Sequence, residues 1–262
     1  MQLSEQFKNV VERVVLLPVR FRHRRRASPK HKARIAALAT TTATLQKVRD
    51  LKAEGTRTLC NVGLYLLLLD QDLAYFTDDL VCAIGDRRRR FVAKHEAILL
   101  YEAAEDLPQL LGKRFREAVS SLNAPQEIAT ALGAVSSDLN AFWQRHREFL
   151  GTIRNAVAAH REQDALRYQE LLDAIEPLAV MRRAADLSTL LQRLIGVITQ
   201  IALLNAGPAS ILQDMLGSAG GASRLRGREE PDNTQITCEV RAVWKPRPSQ
   251  VIWVLAQFFV TK

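Results

Sequence analysis

NAPQEIATALGAVSSDLNAFWQRHREFLGTIRNAVAAH (residues 123–160) is the stretch whose reading decides the fold. It opens with a helix start signal. Pro125 suits a first helical position, where a missing N–H costs nothing, and Glu127 puts negative charge in the first turn. From there Ile128, Leu132, Val135, Leu139, Phe142, His146, Phe149, Ile153, Ala156 and His160 follow an unbroken 4-3-4-3 spacing. That period lines them up on one stripe of a long helix, a seam for packing against helices of the same chain or of a second copy. His146, in mid-seam, reads as a hydrogen-bonded core residue. His160, at the seam's end, can look into a cleft.

Working outward, helical periods dominate. Residues 3–19 predict a short amphipathic helix on Phe7, Val10, Val11 and Val14. RFRHRRRASPKHK (20–32) follows, read as a solvated linker or helix end, or as a phosphate-contacting arm carrying Arg24, Arg25 and Arg26. Further helices are expected over 33–53 and 57–84, with Gly55 and Gly85 at their edges. The next opens on DRRRR (86–90), whose Arg87, Arg88, Arg89 and Arg90 oppose the helix macrodipole. Pro108 is expected to reset the chain into another short helix. Helices over 163–175, 178–206 and 208–217 complete the series.

GSAGGASRLRGREEPDN (217–233) has the composition of a flexible linker. Beyond it the period changes to alternation: TQITCEVRAVW, a KPRPS turn and QVIWVLAQFFV predict a β-hairpin. The expected fold is all-α, a multi-helix bundle with an N-terminal helical extension and a small C-terminal β-hairpin. Its expected parts are N-terminal helices with a basic arm (1–55), the bundle (56–216), the linker (217–233) and the hairpin tail (234–262).

Composition bounds the partners. The 262 residues carry 37 Lys and Arg against 28 Asp and Glu, a formal net charge of +9. Such an excess attracts polyanions, nucleic acid first and an anionic membrane surface second. Cys60, Cys82 and Cys238 form no close pair, which argues against a disulfide scaffold and fits a reducing cytoplasm. The N-terminus does not read as a secretory signal. The most apolar run, NVGLYLLLLDQDLAYF, is cut by Asp70 and Asp72, so no membrane-spanning segment is expected. No Gly-rich phosphate loop and no metal-ligand spacing occurs, so no metal and no cofactor is expected.

Within the long helix IRNAVAAHRE (153–162) brings together a guanidinium, an amide and an imidazole. Histidine changes protonation near neutral pH, so His160 can take a proton from a ribose 2′-hydroxyl or give one to a departing 5′-oxygen. Arg154 can hold the scissile phosphate through paired donors, and Asn155 can fix the imidazole or the phosphate. RNA carries its own nucleophile, so the set suffices for cleavage. On an ideal helix Arg154 and His160 lie about 120° apart around the axis and about 9 Å along it. Either the helix deforms near His160, or a second copy completes the site across a two-fold axis. Glu102 and Asp106, four apart on one helix face, read as solvated or arginine-paired, with an acidic contribution to a site as the alternative.

Arginine, a polar residue directly after it and a histidine five residues further, near the end of a long helix, resemble the signature of the HEPN superfamily (higher eukaryotes and prokaryotes nucleotide-binding). The upstream HEAILLYEAAEDLPQLLGKRFREAV (95–119) is similar to the acidic helix preceding that motif in bacterial abortive-infection members. The resemblance covers residues 86–206. It implies a bundle that dimerises through the motif helix (125–161) and a metal-independent endoribonuclease, with RNA as partner and an antitoxin or sensor protein as a second. It further implies a toxin or phage-defence role, with His160 the acid/base, Arg154 the phosphate clamp and Asn155 the orienting amide. Members paired with a nucleotidyltransferase antitoxin often carry tyrosine two places after the histidine; Glu162 stands there, so control through that tyrosine is not expected. The alternatives are a non-catalytic helical module binding nucleic acid or nucleotide, and a structural protein dimerising through the seam.

Overall fold

The computed structural model describes residues 5–49, 53–122, 124–155 and 165–206. The elements among them are α1 (Glu5–Val48), α2 (Glu54–Cys82), α3 (Asp86–Leu110), α4 (Lys113–Ser121), α5 (Gln126–Ile153), α6 (Ala165–Asp173) and α7 (Pro177–Ala206). The described chain is all-α. The helix expected over 208–217, the linker and the hairpin lie outside the described residues.

α2 is the central helix and packs against α1, α3, α4 and α7. Its apolar run gives Leu59, Val62, Leu66, Leu67, Leu69 and Leu73 to the core. α3 meets it with Ala93, Ala97, Leu100, Ala104 and Leu107, three or four residues apart, as a helix with one buried face requires, and with Ala103 beside them. α5 buries Ile128, Leu132, Val135, Leu139, Phe142 and Ile153 against α3 and α7. The seam is therefore used within the chain. Towards its end Leu150, beside the seam, is fully buried while the seam residue Phe149 is half-buried. A seven-residue period drifts about 20° per heptad on a straight helix, so after three heptads the neighbouring position shares the buried face with the seam.

α7 is long and apolar enough to cross a membrane, which corrects the choice of the α2 run as the most apolar. Its Val180, Ala184, Leu187, Leu191, Leu194, Ile198 and Ile201 lie in the bundle core.

α1 is a second correction. One 44-residue helix runs through the basic stretch and through Pro18 and Pro29, where two helices parted by a basic linker, helix end or arm were expected. A proline inside a helix costs about 3 kcal/mol in isolation, so tertiary anchors must compensate. They follow Pro18 and flank Pro29. Arg20 donates from Nε to the carbonyl of Val81 at 3.4 Å and from Nη2 to that of Ala83 at 3.1 Å, a cation at the carbonyl end of α2. His23 and His31 each meet Asp78 at 2.5 Å, and Arg34 Nε meets Asp70 at 2.6 Å. α3 likewise runs past Pro108 to Leu110, so the proline sits in a last turn and does not start a new helix. Between α2 and α3, Gly85 adopts φ 80°, a backbone conformation glycine enters without steric cost, and its N–H donates to Glu12 of α1 at 3.3 Å.

Candidate functional site

Arg154 caps the C-terminus of α5, its backbone N–H directed to the carbonyls of Leu150 and Gly151. Residues 154 and 155 form wider, π-type turns. Such insertions are rare and recur at functional sites. His160 itself lies outside the described residues.

The arginine is held by α3. Its guanidinium carbon sits 5.0 Å from the centroid of the Tyr101 ring, a cation–π contact that fixes the group without consuming its N–H donors. Tyr101 in turn meets Trp143 edge-on, centroids 5.0 Å apart. Gly151 makes the close approach possible: a Cβ there would lie 3.3 Å from Tyr101 Cε2. Arg154 Nη1 donates to Asn155 Oδ1 at 3.4 Å. Asn155 is exposed and Arg154 half-exposed, so both can meet a ligand from solvent.

The supporting carboxylates do not join this pair. Glu102 and Asp106 are exposed on α3, and their charge bears on Tyr65 of α2, whose hydroxyl is pushed up first by burial and then by Asp106 and Glu102. Among the described residues no bond or ion pair links either to Arg154. His146 is half-buried, edge-on to Phe142 at 4.7 Å. Burial, then Arg183 and Arg145, lower its pKa, with Asp186 opposing. It is a packing residue two turns before the arginine.

The basic residues divide. Arg24, Arg25 and Arg26 are exposed on α1, as are Arg87 and Arg88 on α3. Arg89 instead pairs with Glu12 and, at 3.4 Å, with Asp86. Arg90 pairs with Asp173 at 2.5 Å. The cost of cations at a helix N-terminus is thus offset by Asp86 in the same turn and by carboxylates from α1 and α6, and Arg87 and Arg88 are the cations of this run left for an external anion.

A second polar cluster lies between α1, α2 and α7. Asp70, 1% exposed, accepts from Arg34 and from Ser188 Oγ at 3.2 Å. Two turns on, Asp78 takes an imidazole on each oxygen, and Tyr75 stacks on His31 with centroids 5.4 Å apart. Thr77 donates to Glu96 Oε1 at 3.3 Å, while the other Glu96 oxygen is buried without a partner. Burial pushes the Glu96 carboxyl up to about 7. The signal for this cluster was Asp70, an acid inside an apolar run: a helix face that buries a carboxylate must pair it. Its partners were hidden because His23 and His31 lie in the basic run, expected to be a linker, helix end or arm, and Arg34 in a separate helix expected after it.

Comparison with protein-family models, with curated protein sequences and with solved structures returned no match.

Proposed function

We propose that this chain is a metal-independent endoribonuclease of the HEPN type, a toxin or phage-defence effector acting on RNA. The observation that carries the reading is Arg154 at a π-type turn, its guanidinium seated on Tyr101 and bonded to Asn155 while open to solvent. In the reaction His160 removes the 2′-hydroxyl proton, the 2′-oxygen attacks phosphorus and the P–O5′ bond breaks. The 5′-oxygen takes that proton back from the His160 imidazolium, leaving a 2′,3′-cyclic phosphate and a 5′-hydroxyl. Arg154 bears the charge gathered on the phosphoryl oxygens, a role in which removing one donor costs about a hundredfold or more in rate. Arg24, Arg25, Arg26, Arg87 and Arg88 gather the RNA along α1 and the start of α3.

Because the apolar seam is used internally, a second copy would mate with the opposite face of α5, where Ala129, Gly133, Ser137 and Asn140 leave room for a close helix approach. The same exposed cations favour, as a second reading, a helical module that binds RNA and does not cut it. RNA incubated with the full chain in EDTA separates the two. Cleavage lost in Arg154→Ala and His160→Ala supports the nuclease; binding with no cleavage in the wild type selects the module.

A further inference from the structure

The cleft between α1, α2 and α7 has a volume of about 370 Å³ and is lined by His23, Arg26, Lys30, His31 and Arg34 on the α1 side. These follow the helical period, so one stripe of α1 presents three permanent cations and two imidazoles to one space. Opposite them stand Asp78, with Leu73 and Ala74 of α2, and Met181, Ala184, Ser188 and Gln192 of α7. The local charges do not cancel. Asp70 is engaged by Arg34 and Ser188, and Asp78 by the two imidazoles. Arg26 and Lys30 are exposed and have no carboxylate partner among the described residues. Arg34 is 7% exposed, held in place as part of the wall. His31 keeps one ring nitrogen, Nδ1, buried without a partner.

We propose that this cleft binds a small phosphate-bearing ligand of about mononucleotide size. Its phosphate lies between Arg26 and Lys30, with the Arg34–Asp70 pair as the wall behind them, and its body on Ala74 and Met181, within reach of the Gln192 amide. The volume falls at the lower end of the range for small-molecule sites, about 300–1,000 Å³. An arginine fork beside a lysine is a pairing that suits a phosphate dianion. The site is separate from Arg154 and does not depend on the nuclease reading.

The test is calorimetric titration of the full chain with AMP, ribose 5-phosphate, inorganic phosphate and adenosine. Expected is one AMP per chain, weaker binding of the two smaller phosphates and none of adenosine. Because Arg26 and Lys30 are exposed, Arg26→Gln/Lys30→Gln keeps the fold and weakens AMP at least about tenfold, the scale of lost charge-assisted bonds. Arg87→Gln/Arg88→Gln and Arg154→Ala bind AMP as the wild type does. The proposal is overturned if none of the phosphates binds, if adenosine binds as well as AMP, or if both glutamine pairs weaken AMP equally. RNA that binds through Arg26 and Lys30 while AMP does not also overturns it.

Discussion

Asp70 of α2 accepts a hydrogen bond from Arg34 Nε of α1 at 2.6 Å, and both side chains are nearly excluded from water. The pair, with Ser188 on the second carboxylate oxygen, ties α1 and α7 to the central helix. Removing one partner leaves a buried, uncompensated charge, whereas removing both leaves hydrocarbon. Asp70→Ala is therefore expected to lower stability by about 3–5 kcal/mol, and Arg34→Met/Asp70→Leu by much less. Urea unfolding of the three chains checks this. Equal losses in the single and double variants would show that the pair does not act as a buried unit.

Glu96 sets a pH dependence of the fold. Its carboxyl is pushed from 4.5 to about 7 by burial, against a small opposing effect of Thr77. The folded state then holds the proton more tightly than the unfolded chain. The resulting stability is fully present below about pH 4.5 and is lost as pH rises to about 7, a total on the order of 3 kcal/mol. Glu96→Gln keeps the shape without the charge, so it is expected to flatten this slope and to unfold at higher urea than the wild type at pH 8. Parallel pH–stability curves for the two chains would exclude Glu96 as the source.

Gly133 tests the mating face. A side chain built there meets nothing within 4 Å, and replacing a helical glycine adds about 0.5–1 kcal/mol of stability through the unfolded chain. Gly133→Arg should therefore fold at least as well as the wild type. If α5 faces its copy on this side, sedimentation should show a dimer for the wild type and a monomer for the variant, with RNA cleavage reduced. A variant that remains dimeric would place the interface elsewhere.

Much of the fold was legible because buried helix faces repeat in sequence. The α5 stripe from Ile128 to Phe142 and the α2 and α7 apolar runs are buried as the period requires. What misled was local chemistry that long-range pairs override. Pro18, Pro29 and the arginine run each argue against a helix, but Arg20, His23, His31 and Arg34 find acceptors on α2 that a linear reading does not supply. The same reason hid the α1–α2–α7 cleft. Of the residues proposed for the nuclease site, Arg154 and Asn155 were legible, but the Tyr101 seat was not, since it depends on α3 lying against α5.

The most direct test of the nuclease account is the end chemistry of RNA treated with the purified chain in excess EDTA. The account predicts fragments ending in 2′,3′-cyclic phosphate and 5′-hydroxyl. In Arg154→Ala and His160→Ala these should fall by about a hundredfold or more, with thermal unfolding of Arg154→Ala unchanged to within the roughly 0.5–1 kcal/mol of its contact with Tyr101. Cleavage that requires added divalent metal, or that persists undiminished in both variants, would contradict it.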